Sequence, residues 1–140
     1  MIGAILGYKG NQAAAKAAQQ TAEFNAQVAE NEAIVLQRKK TAEEASLRKA
    51  SERTIATQRV ATAVSGIEMS GSALEALKDS YMNTQMDALN IQYAADIEQT
   101  AKASEAALAR AEGRARATAY KTASYQSLLE GAEKAATYMS

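Results

Sequence analysis

The side chains best able to do chemistry in this 140-residue chain are its carboxylates and its cations. Asp87, Asp96 and Glu98 lie near one another and invite comparison with a paired-carboxylate or metal site. Helical carboxylate sites of that kind carry a Glu-x-x-His motif, and the chain has no His. The lack of both His and Cys also removes thiol nucleophiles, Ser-His-Asp triads and Cys/His zinc sites. The glycines of Gly3-Ala4-Ile5-Leu6-Gly7-Tyr8-Lys9 do not have the spacing of a phosphate loop, and no strand precedes them. The carboxylates therefore read as a solvated face or as ion-pair partners between subunits. No catalytic residue, metal ligand or cofactor is expected, and the chain is not expected to be an enzyme.

The cations form two groups. Arg38-Lys39-Lys40 spreads around most of a helix circumference and does not make a stripe. Arg110, Arg114 and Lys121 share a face at steps of four and seven, with Arg116 beside them. Such a face can touch DNA phosphates without reading sequence. The simpler expectation is pairing with Glu105 and Glu112. Sixteen basic and sixteen acidic residues cancel, which argues against a dedicated DNA-binding domain. Tyr93, Tyr120 and Tyr125 fit helix-seam positions better than a base-stacking platform.

The elements that must carry these residues are helices. Ala is the commonest residue, with 34 copies, and there is no Pro. Alanine has the highest helix propensity but brings little apolar area. Residues 11–65 hold neither Gly nor Pro, enough for one helix of roughly 80 Å. Ser65-Gly66-Ile67-Glu68-Met69-Ser70-Gly71-Ser72 then supplies a stop and a start. Gly66 suits a left-handed C-terminal cap, and Ser72 with Glu75 has the pattern of a capping box. A connection this short predicts antiparallel neighbours. The expected architecture is all-α: a long antiparallel, coiled-coil-like helical hairpin that assembles into a homo-oligomer. It is read as a single domain, with a tip at 1–10, helix 1 at 11–65, an elbow at 66–72 and helix 2 at 73–140.

Helix 2 carries two apolar stripes. One runs Met82, Met86, Leu89, Tyr93, Ile97, Ala101, Ser104, Leu108, Ala111, Ala115 and on through Thr122, Tyr125, Leu129 and Ala132, at the spacing of a coiled-coil seam. The other is Leu74, Leu77, Tyr81, Ala88, Ile91 and Ala95. One partner helix cannot cover both, so Leu74, Leu77, Tyr81, Met86, Leu89, Ile91, Tyr93 and Ile97 are the expected contacts with further subunits. In helix 1, Phe24, Val28 and Val35 share a face continued by Ala42. Gly113 is expected to mark a kink or a close approach, and Gly131 to end the regular helix. The apolar start, with Ile2, Ile5, Leu6 and Tyr8, reads first as a tip that docks on a neighbouring subunit. The alternative is a tip that enters a membrane. No transmembrane run and no signal peptide are expected.

The run from Ser65 to Leu74, then Leu77, then Asp87-Ala88-Leu89-Asn90-Ile91-Gln92-Tyr93, resembles a pattern of small phage virion proteins. The Ala/Gln-rich upstream segment with Ala22-Glu23-Phe24-Asn25-Ala26 is similar in kind. The resemblance is to the smallest internal core, or ejection, protein of short-tailed bacteriophages. It implies a non-enzymatic protein packed in the virion near the portal–tail axis, expelled with the genome and helping to form a conduit across the host envelope. Implied partners are further copies of itself, portal, tail or other internal virion proteins, and transiently the host membrane. Non-specific DNA contact is a further expectation. The rival expectations are a membrane-active helical protein and a tail or connector adaptor that stays in the particle.

Overall fold

The structure, a computed structural model, describes residues 2–66, 68 and 70–138, with Ile2 and Tyr138 described in their backbone alone. It is a hairpin of two helices, α1 (Ile2–Val64) and α2 (Ser72–Tyr138), with no strand among the described residues. Ile67 and Met69 of the elbow run, and the Ile2 side chain of the tip, lie outside the described residues. The chain divides into two compact units. The terminal unit pairs Met1–Glu32 with Lys102–Ser140, and the elbow unit is Ala33–Ala101.

The helix ends differ from the expected boundaries in physically readable ways. The N-terminal segment is not a separate tip, because α1 already begins at Ile2. Its glycines tolerate helical dihedrals and no proline interrupts them. At the other end Gly66 takes φ 67°, and its N–H bonds the Ala63 carbonyl at 3.4 Å. This is the left-handed cap expected of it. The Ser72/Glu75 capping box does not form. Gly71, at φ 60°, occupies the cap position, and the Glu75 N–H bonds its carbonyl at 3.1 Å. Ser72 is then already a helical residue, so its hydroxyl is past the position from which it could close the box. Gly131 does not end α2, which continues to Tyr138.

In the terminal unit the seam between the helices is made of small residues. Among described residues the buried apolar side chains are all alanines: Ala15, Ala22, Ala26, Ala29, Ala33, Ala88, Ala106 and Ala117, joined by buried Gly113 and Ser124. In the terminal unit the covered positions of α1 run Ala4, Gly7, Asn11, Ala15, Ala18, Ala22, Ala26, Ala29. In the elbow unit those of α2 run Leu77, Ser80, Thr84, Ala88, Ile91, Ala95, Glu98. Both sets advance by threes and fours in which fours predominate or match. The 3-4-4 pattern gives eleven residues in three turns, closer to the natural pitch of an α-helix than a heptad.

Gly113 answers a close approach. A Cβ built there would lie 2.1 Å from the Ala22 Cβ, inside any permitted contact. Gly131 repeats the arrangement against Ala4, at 2.4 Å. Both contacts belong to the terminal unit. Their residue numbers add to 135, as do those of Ser51 and Thr84, whose hydroxyls are 2.6 Å apart in the elbow unit. The pairing therefore keeps one antiparallel register in each unit.

Candidate assembly interface

The long Met82–Ala132 stripe was the natural choice for the seam, and the structure places it elsewhere. Met82, Met86, Leu89, Tyr93, Ile97, Leu108, Tyr125 and Leu129 are all exposed, with Tyr93 at 69%. Each of Met82, Met86, Tyr93, Ile97 and Leu108 lies two positions beyond a covered residue: Ser80, Thr84, Ile91, Ala95 and Ala106. Two positions turn a helix by roughly 200°, so the stripe occupies the side of α2 opposite its partner. The same offset puts Phe24, Val28 and Val35 of α1 two beyond buried Ala22, Ala26 and Ala33, and all three are exposed.

The second stripe is the one that faces α1. Ala88 is fully buried, and Leu77, Ile91 and Ala95 are half-buried. Its members Leu74 and Tyr81 remain exposed. The eight residues expected to contact other subunits therefore separate. Leu77 and Ile91 pack within the elbow unit, whereas Leu74, Tyr81, Met86, Leu89, Tyr93 and Ile97 are free to meet a partner. The reason is geometric. Met86, Tyr93 and Ile97 each follow a covered residue by two positions, about 200° around the helix, and so are turned outward.

At the N-terminal end Tyr8 is engaged internally. Its ring meets Tyr125 with centroids 6.4 Å apart at 58°, and its hydroxyl accepts a 2.7 Å hydrogen bond from Gln12. Ile5 and Leu6 are exposed. Of the proposed tip, only these two described side chains are available for docking.

The charged residues sort in an unexpected way. Arg110 does not pair with Glu105 or Glu112. Its guanidinium grips Glu23 through two nitrogens, at 2.9 and 3.0 Å, and reaches Glu30 at 2.6 Å. The paired guanidinium holds the Glu23 carboxyl below its usual range. Lys102 joins Glu32 at 2.6 Å and Glu105 at 2.9 Å, and both contacts keep the ammonium protonated far into the basic range. Arg116 alone makes the expected pair with Glu112, at 3.7 Å. The Arg110, Arg114, Lys121 face thus loses its first member to helix pairing.

In the elbow unit Glu44 accepts from Gln92 at 3.0 Å and from Arg48 at 2.9 Å, and these two bonds, Gln92 first, lower its pKa. Arg48 also reaches Gln85 at 3.3 Å. Lys40 turns to Glu43, at 3.3 Å. That leaves Arg38 and Lys39 without a carboxylate among the described residues.

Asp87, Asp96 and Glu98 gather no other ligand type, and no group of three acidic residues that could hold a metal occurs among the described residues. No helix among the described residues is long and apolar enough to cross a membrane. The clefts beside the seam, such as that lined by Ala14, Ala18, Ala22, Gly113 and Tyr120, are open furrows. The surface of the hairpin is its chemistry. Compared with protein-family models, with curated proteins and with solved structures, the chain matches none.

Proposed function

We propose that this chain is a non-enzymatic assembly subunit, a helical component of a phage virion that packs near the portal–tail axis and assists genome ejection. The observation that carries the assembly part is the inverted distribution of side chains. In the elbow unit Leu77, Ala88 and Ile91 face α1, and Met82, Met86, Leu89, Tyr93 and Ile97 stand in solvent on the opposite face. The hairpin exposes 10330 Å². A compact monomer of this mass exposes about 7000 Å². Exposed apolar side chains in a continuous row are the mark of a surface that another chain covers. Further copies of the same chain are the proposed cover.

The placement in a virion rests on the resemblance of the Ser65–Leu74 and Asp87–Tyr93 segments to small internal core proteins. Methyl-lined seams fit that role physically, since each contact buries little area and separates at low cost. The membrane-conduit reading has less support, with Tyr8 engaged by Tyr125 and only Ile5 and Leu6 presented. Purified phage particles encoding this chain should contain it in several copies, and particles emptied of DNA should have lost it. Particles lacking the chain before ejection would sink the virion assignment. Its full retention afterwards would support a tail or connector adaptor instead.

A further inference from the structure

The outward face of α1 in the elbow unit carries a cation cluster that helix pairing does not use. Arg38, Lys39, Lys49 and Arg53 are all exposed. Among the described residues no ion pair or hydrogen bond engages the charged group of any of the four, whereas neighbouring Lys40 and Arg48 are bound to Glu43 and Glu44. The covered positions on this stretch are Lys40, Glu44, Leu47, Arg48, Ser51 and Ile55. Measured from them, the four free cations fall within about 50° of the opposite side at 100° per residue. The same side between Val35 and Thr57 holds Ala42, Ser46 and Ala56 and no carboxylate. Glu43 and Glu52 project to the flanks by the same helical count. The first and last cations are separated by roughly 22 Å of helix rise.

We propose that this face binds the phosphate backbone of duplex nucleic acid without reading its sequence. Four unpaired cations in a row, with small residues between them, let a rod-shaped polyanion approach closely. An anionic membrane is the weaker match. A membrane-binding helix needs large apolar side chains along the same face to enter the interface, and none stands between Val35 and Val60. The assignment moves the DNA contact from the Arg110 cluster, whose first member is held by Glu23 and Glu30, to α1. It does not depend on the virion reading.

Fluorescence anisotropy with a labelled random-sequence 20-base-pair duplex tests it, on full-length chain at fixed oligomer size and helical content. Four neutralised phosphates predict a slope of log K against log salt of about −3.6, or a roughly 150-fold loss of affinity between 50 and 200 mM salt. The variant Arg38→Gln/Lys39→Gln/Lys49→Gln/Arg53→Gln should bind at least about tenfold more weakly at 50 mM and show a slope near zero. Arg114→Gln/Lys121→Gln, which removes two exposed cations from the terminal unit, should lose less than about threefold. Failure of the unmodified chain to bind at 50 mM salt would overturn the proposal. So would a loss per charge as large in the control variant as in the fourfold one. Tighter binding to phosphatidylglycerol vesicles than to duplex would reassign the face to membranes.

Discussion

At the residue scale the tightest constraint is Gly113 against Ala22. A methyl on Gly113 would sit 2.1 Å from the Ala22 Cβ, so Gly113→Ala must push the helices apart in the terminal unit. Helix propensity alone favours Ala by about 1 kcal/mol, and overpacking costs about 1–3 kcal/mol. Gly113→Ala should therefore lower the melting temperature. Exchanging the two, Gly113→Ala with Ala22→Gly, should recover most of the loss. Gly10→Ala, where a Cβ meets nothing within 4 Å, should be neutral or stabilising. Differential scanning calorimetry of these three variants and of Ala22→Gly alone checks this, and a double variant as unstable as the sum of its parts would refute the packing account. The Arg110 cluster works at the same scale. It fixes Glu23 and Glu30 of α1 to α2, and the lowered Glu23 pKa means that its contribution is lost only as pH falls through the carboxylate range.

At the scale of the element, each helix has two faces, one turned to the other helix and one to solvent. The inner face of α2 in the elbow unit is built on Ala88, which has no exposed surface, and the outer face on Met86 and Tyr93. Substitutions should separate the two functions. Met86→Asp/Tyr93→Asp should abolish the oligomer and lower the melting temperature with it. Ala88→Leu should disturb the hairpin itself, because a seam of this width has no space for the added carbons. Circular dichroism with light scattering reads both outcomes. An oligomer that survives the Met86/Tyr93 change would show that the outer stripe of α2 is not the assembly surface.

For the molecule as a whole, the seam gives too little apolar burial to account for a robust fold alone. An alanine methyl group contributes about 0.8 kcal/mol when fully buried, against roughly 1–2 kcal/mol of backbone entropy for each ordered residue. The proposed assembly would supply the difference. Stability should then rise with protein concentration, since a complex that holds only the folded chain shifts unfolding by mass action. A dimer or larger species gains about 1.4 kcal/mol per tenfold concentration, roughly 3–6 °C for a chain of this length. A melting temperature constant over a hundredfold range would contradict the assembly reading.

What the amino-acid sequence determined by itself was the all-α hairpin. Residues 11–65 without Gly or Pro, Gly66 at the stop and abundant alanine left few alternatives, because propensity and turn chemistry act locally. The second stripe through Ala88 and Ile91 and the close approach at Gly113 were also legible, as small residues at helical spacing. Which stripe faces inward was decided only by the tertiary structure. Met82–Leu129 and Leu77–Ala95 are both periodic, and periodicity cannot tell a seam between helices from a seam between molecules. In the elbow unit Leu77, Ala88 and Ile91 meet α1, and Leu89 and Tyr93 face outward. The same is true of charge. Arg110 and Arg38 look alike in the chain, and only pairing across the helices binds one to Glu23 and leaves the other free.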